Sequence, residues 1–211
     1  MSGIYVLGAG GHGKVVISTI RAMGLEVEAV LDDDRSLWGS YLSGVEVTGP
    51  IDSLRGKKNP KAIIAIGINH IREKIATRLD EVEWISAIHP SAVIDGSVKI
   101  GPGTAIFAGA VVQPDSTVGN HVIINTGATV DHDCVLEDFV HIAPGCHLAG
   151  NVSLRRGAFM GIGSCAVPGT TVGPWTTVGA GGAVIADLPG NAVAVGVPAK
   201  EITALPSKRN R

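Results

Sequence analysis

From Ile94 onward the chain is apolar at every sixth position, through Ile100, Ile106, Val112, Val118 and Ile124 to Val172, Val178 and Val184, without a break. Two residues before these positions stand small or β-branched residues, such as Ala92, Thr104, Ala110, Ser116, Ala128, Cys134, Ser164 and Gly182. A glycine often follows them, as at Gly101, Gly119, Gly161, Gly173 and Gly179. A period of six cannot keep one face of an α-helix apolar, because the helix turns every ~3.6 residues. It does describe a short strand and a corner, with the aliphatic residue pointing inward. Three such edges close one coil of a parallel β-helix, and stacked coils bury a continuous aliphatic column.

The residues before the repeat follow another rhythm. IYVLGAGGHGKVVISTIRAMG reads as a buried strand, a glycine turn and an amphipathic helix with Val16, Ile20 and Met23 on one face. EVEAVLDDD predicts a second strand ending in acids, and KAIIAIGIN a third, followed by the helical HIREKIATRLDEV. Strands alternating with helices predict a small Rossmann-like parallel α/β domain. The expected organisation is this α/β domain over 1–86, a parallel β-helix over 87–190, and a tail over 191–211 that ends in a basic segment. WISAIHPSAVI enters the repeat without a flexible linker, so the two domains are expected to dock.

Composition narrows the function classes. The net charge is −2, with 17 basic and 19 acidic residues, which predicts neither nucleic acid nor an anionic membrane as partner. Aromatic residues make up only 4%, so the core is thin and aliphatic. Cys134, Cys146 and Cys165 are odd in number and lack a CxxC spacing, so no disulfide framework or metal site is expected. No basic n-region opens the chain and no apolar run spans a bilayer. The expectation is a cytoplasmic protein.

Two stretches carry candidate chemistry. Gly8, Gly10 and Gly13 form GxGxxG between a strand and a helix, with Gly11 and His12 inside the loop and Asp32 ending the next strand. Bare backbone and a helix N-terminus suit a phosphate, and the acid suits a ribose hydroxyl. The alternative is a tight turn that binds nothing. Fewer than 90 residues leave too little for a two-half dinucleotide fold, so a nucleotide-sugar fits better. The second stretch, VDHDCVLEDFVHIAPG, holds His132 between Asp131 and Asp133, with His141 nine residues on. Val130, Leu136 and Ile142 keep the inward register there, which leaves the polar residues outside. Asn125, one repeat before Asp131, is expected in the same groove as an acceptor-sugar contact.

GAGGHGKVV after a strand, the IHPSAVI junction, the unbroken hexapeptide array, DHDC and a closing GVPAK cover almost the whole chain. Together they resemble the bacterial nucleotide-sugar N-acetyltransferases and sialic-acid O-acetyltransferases of the hexapeptide superfamily. The resemblance implies a left-handed β-helix, a sugar-nucleotide site on the N-terminal domain, acetyl-CoA as co-substrate, and homotrimers with active sites between neighbouring subunits. It implies His132 as base with Asp133 behind it, and His141 on the acyl-donor side. It also implies a CoA lining from Gly161, Ile162, Gly163, Gly179, Ala180, Gly181, Pro198 and Lys200.

Acetyl transfer needs a base for the attacking amine or hydroxyl, and a histidine oriented by a carboxylate supplies one. The oxyanion needs a donor, for which backbone N–H groups or His141 are candidates. The expected reaction is acetyl-CoA-dependent N-acetylation of a nucleotide-linked amino sugar, with O-acetylation of sialic acid or another sugar hydroxyl as the alternative. Rival readings are a zinc enzyme built on His132, His141 and His147, a non-catalytic sugar-nucleotide sensor, and an NAD-dependent enzyme. His70, His89 and His121 are expected to be structural.

Overall fold

The computed structural model describes residues 3–79 and 81–202. The basic end of the expected tail lies outside them. The N-terminal unit runs β1 (Ile4–Leu7), α1 (Gly11–Ala22), β2 (Val27–Leu31), β3 (Tyr41–Leu42), β4 (Val45–Gly49), β5 (Lys61–Ile64), α2 (Asn69–Arg78) and β6 (Glu83–Trp84). Its sheet has the order β3-β4-β2-β1-β5-β6, parallel except for the β3–β4 hairpin. The three strands read from the sequence form its centre. β3 and β4 add an edge, with Val45 and Val47 buried and Glu46 and Thr48 exposed. Ser43 and Gly44, both at positive φ, make the two-residue turn between them. α1 buries Val16, Ile17 and Ile20 between the sheet and the β-helix residues Ala87, Ala105, Phe107 and Ile123. α2 covers the other face of the sheet through Ile75.

From Ala87 the chain winds into a left-handed β-helix with three parallel sheets. Ile106, Ile124, Ile142, Met160 and Val178 stand above one another, one coil of eighteen residues apart. The aliphatic positions and those two residues before them both point inward, so Ala110, Val122, Ala128, Cys134, Val140 and Cys146 join the same buried column. Where that second position carries a hydroxyl, the corner satisfies it. Ser116 Oγ donates to Asp131 O at 2.8 Å and accepts from Cys134 N. Thr104 does the same between Gly119 O and Val122 N.

Three residues after each inward position from Ile100 to Val178 the backbone enters the left-handed region. Glycine serves at 103, 109, 127, 145, 163 and 181, while Asp115, Asp133, Phe139 and Asn151 take the same conformation. The glycines that directly follow the inward position have a different reason. A Cβ on Gly161 would stand 2.6 Å from Ala180 N in the next coil. The stacking passes residue 190, where the sequence reading ends the repeat: Val193–Val195 pairs with Thr177–Val178, and Lys200–Glu201 folds back antiparallel.

Candidate active site

The glycine loop leaves β1 at Gly8, whose φ of 118° and contact with Ala65 and Ile66 exclude a side chain. Gly13 lies on the Gly8 carbonyl, where a Cβ would be 2.5 Å from the oxygen. Gly10 and Gly11 face open space at the start of α1. Asp32, expected to meet a ribose, uses its carboxylate to hold the loop. Its Oδ2 accepts from Ala9 N at 2.7 Å and its Oδ1 from Asp34 N at 2.9 Å. Beside it opens a cleft of about 470 Å³, lined by Asp32, Asp33, Ile51, Ile66 and α2 residues Ile71, Lys74, Ile75 and Arg78. Sequence reasoning missed the α2 contribution. The signal was available, since 71, 74, 75 and 78 follow the three- and four-residue spacing of one helix face.

The β-helix is a three-edged prism, and the candidate residues divide between two of its edges. Asn125, Gly161–Gly163 and Gly179–Gly181 occupy equivalent corners along one edge of the stack, and His141 begins the strand that leads into the same edge. Gly163 and Gly181 take positive φ there, Gly181 N donates to Ile162 O at 2.8 Å, and Ile162 is 62% exposed. Ala180 lies between them. The GVPAK segment crosses this edge, with Ala183 N bonded to Gly196 O and Ala199 N to Ala183 O. Pro198 and Lys200 are exposed beside it. Asp131, His132 and Asp133 stand on the next edge, beyond the strand Thr129–Val130. Asn125 therefore lies with His141 and not in a groove with Asp131, because successive six-residue repeats occupy different sides of the prism.

His132 is 59% exposed on its side chain. Its Nδ1 donates to Asp133 Oδ2 at 2.7 Å, and its backbone N–H donates to Asp131 Oδ1 at 2.9 Å. The Asp133 hydrogen bond raises the imidazole pKa above its usual value, outweighing a small desolvation effect. With Nδ1 committed to the carboxylate, Nε2 is free to receive a proton. Asp133 sits at φ 59°, so the left-handed corner aims its carboxylate back at the ring. Gly150, one coil on, lies under that ring, and a Cβ there would be 2.6 Å from His132 Nε2.

His141 has the opposite environment. It is buried at the domain junction, with Nδ1 3.0 Å from Gly67 O and Nε2 3.4 Å from Asn125 Nδ2. A carbonyl only accepts, so Nδ1 carries the proton. Burial lowers the pKa to about 3, with Arg72 and His12 adding to the shift against the Gly67 bond. The ring is neutral with a bare Nε2, so in this arrangement it accepts a hydrogen bond there, unlike the oxyanion donor for which it was one candidate beside backbone N–H groups. His12, from the glycine loop, lies 6.2 Å away between ring centroids and packs edge-on to Phe107. Burial followed by the Arg72 charge lowers its pKa to about 4, and its Nε2 is buried without a partner. Among the described residues, no group of three His, Cys, Asp or Glu side chains is gathered as a metal site, and His132, His141 and His147 stand apart.

Residues 3–79 match the PglD N-terminal domain and residues 97–132 the bacterial transferase hexapeptide (six repeats). The structure superimposes on the H141N mutant of perosamine N-acetyltransferase from Caulobacter crescentus in complex with CoA and GDP-perosamine. The TM-score is 0.91 and the identity 42%, over 97% of this chain and 98% of that one. This chain belongs to the bacterial nucleotide-sugar N-acetyltransferase family of the hexapeptide-repeat acyltransferases. A second acetyltransferase structure, the PglB domain from Neisseria gonorrhoeae with acetyl coenzyme A, matches with a TM-score of 0.88 and 38% identity, over 94% of this chain and 98% of that domain. GDP-perosamine N-acetyltransferase from Escherichia coli O157:H7 is 28% identical over 83% of this chain and 82% of its own length. The chain also matches an uncharacterised mimivirus protein, of which it spans 24%. Within this acetyltransferase family, the Asp-His-Asp edge and the junction histidines are the two candidate parts of the site.

Proposed function

We propose that this acetyltransferase moves an acetyl group from acetyl-CoA to the amino group of a nucleotide-linked amino sugar, with His132 as general base. The observation that carries this reading is the 2.7 Å bond from His132 Nδ1 to Asp133, which leaves Nε2 bare on an exposed edge. The amine lone pair attacks the thioester carbonyl, and an N–H proton passes to His132 Nε2. As the C–S bond breaks, that proton is handed to the departing sulfur, which releases CoA as its thiol and returns His132 to its neutral form. The whole-length likeness to a protein crystallised with CoA and GDP-perosamine supports both ligand classes. In this reading residues 1–86 hold the nucleotide sugar, through the glycine loop and the cleft beside Asp32. Residues 87–190 hold acetyl-CoA along the glycine edge of Gly161–Gly163 and Gly179–Gly181, closed by Pro198 and Lys200.

His132 and His141 occupy different edges of one prism, so one complete site needs two chains. A homotrimer lays the His132 edge of one subunit beside the His141–Asn125 edge of its neighbour. None of the described helices is long and apolar enough to cross a membrane. The three unpaired cysteines suit a reducing compartment, so the reading puts the reaction in the cytoplasm.

A thiol-release assay with acetyl-CoA against UDP-, GDP-, dTDP- and CMP-linked sugars tests the reaction. Turnover on an amino sugar, absent on its hydroxyl counterpart, is expected. Turnover only on hydroxylated sugars or free sialic acid would replace N- by O-acetylation. Mixing His132→Ala with His141→Ala chains tests the shared site: partial recovery is expected in mixed trimers, and none would refute it.

A further inference from the structure

Arg72 projects from α2 into the junction, fully buried, and every acceptor it has is a carbonyl or amide oxygen. Its Nε donates to His121 O at 2.8 Å, one terminal nitrogen to Ile66 O at 3.0 Å, and the other to Phe139 O at 2.7 Å, Asn69 Oδ1 at 3.1 Å and Val140 O at 3.4 Å. Ile66 immediately precedes Gly67, and Val140 immediately precedes His141. One guanidinium therefore holds both backbone segments whose next residues make the His141 Nδ1–H···O bond to Gly67. We propose that Arg72 is a positioning residue for His141. By tying the Ile66 and Val140 carbonyls together it keeps Gly67 against the ring, and so holds the imidazole as its Nδ1–H tautomer with Nε2 bare toward Asn125.

The inference rests on the acetyl-transfer reading for its kinetic part only. The planar fork matters because its three nitrogens spread donors over five acceptor oxygens, whereas a lysine has one nitrogen and three donors. Arg72 also sets the charge of the pocket. The groups that face His141 are His12 from α1, Arg72 from α2, Asn125 and Phe159 from its own sheet face, and the Gly67 carbonyl. None of these is a carboxylate, and the one contact that favours a second proton, the Gly67 bond, is outweighed by burial with the charges of Arg72 and His12 beside it. A purely structural Arg72 would clip the domains together without selecting a tautomer. Asn69 does that much already, through Gly157 O at 2.9 Å and Ala158 O at 3.2 Å.

The test is histidine ring ¹⁵N NMR on the full chain, with the His141 signals assigned by their loss in His141→Gln. The wild type is expected to show His141 protonated at Nδ1 and bare at Nε2 across the neutral range. In Arg72→Lys and Arg72→Gln the ring should become a tautomer mixture that titrates at higher pH. Kinetically, kcat should fall about tenfold while both KM values change less than about threefold. Asn69→Ala should lower the melting temperature and leave the ring signal as it was. A wild-type ring protonated at Nε2, or an Arg72→Lys ring indistinguishable from wild type, would overturn the proposal. So would loss of folding in both Arg72 variants, which would mark the residue as packing alone. The ring signal is read without turnover. The expected tautomer in a protein that transfers no acetyl group would defeat the acetyltransferase reading and leave the positioning of His141 standing.

Discussion

His132 and His141 are the same residue type nine positions apart, and their surroundings push them in opposite directions. The carboxylate of Asp133 favours the charged form of an exposed ring, while burial beside Arg72 and His12 disfavours it at His141. A base must be unprotonated to act, so the acid limb of kcat/KM should lie above the ordinary histidine value. Asp133→Asn should move that limb to lower pH, with a loss of turnover of about 10²-fold, read from the pH–rate profile. A limb unmoved by that substitution would remove His132 as the titrating group. Gly150 offers a second handle. Alanine there would drive a Cβ into the His132 ring, which is exposed and free to swing aside. Gly150→Ala should therefore keep its melting temperature and lose most activity, whereas a glycine needed only for coil stacking would lose both.

At the scale of the element, each coil obeys one local rule: two inward residues per repeat, a left-handed corner, and a ladder to the coils above and below. Leu136 is 1% exposed in the middle of the column. Leu136→Ala should cost about 2–5 kcal/mol in chemical denaturation, because neighbours eighteen residues away cannot collapse into the gap. A loss under about 1 kcal/mol would mean the column repacks. The β-helix was legible in the sequence because every contact inside it repeats at one fixed offset. The β3–β4 hairpin was readable too, in the alternation of VEVTG after a Ser-Gly pair, but its strand of two residues falls below what periodicity detects.

At the scale of the whole molecule, the two domains meet through polar groups as much as apolar ones. Arg156 pairs with Glu73 across the junction at 2.7 Å and with Asp138 at 3.1 Å, and stacks over Phe139. His12, His121 and His141 all lie in this region with pKa values lowered to about 4, about 4 and about 3, first by burial. In the unfolded chain each takes up a proton near 6.5, whereas the folded chain refuses it until near 4. Unfolding then binds protons, so stability falls as pH drops through this window, by about 1.4 kcal/mol per pH unit for each histidine. The denaturant midpoint should decline steadily below pH 6.5, before carboxylates begin to titrate. His121→Phe, which keeps the stack on Phe139, should remove about a third of that slope; an unchanged slope would assign it elsewhere.

By itself the sequence determined the stacked coils, the α/β start, the glycine loop and which residues of 130–145 point inward, since each depends on neighbours at a constant and short separation. It also marked His132 with Asp133, because their contact is between adjacent residues. Tertiary structure alone decided that Asp32 spends its carboxylate on Ala9, that Asn125 shares an edge with His141, and that His12 comes to the same junction. It likewise decided that Gly67 O accepts the Nδ1–H of His141, which leaves Nε2 of that ring an acceptor. Those facts depend on how the surfaces of two separately folded units fit, and no period along the chain encodes that fit.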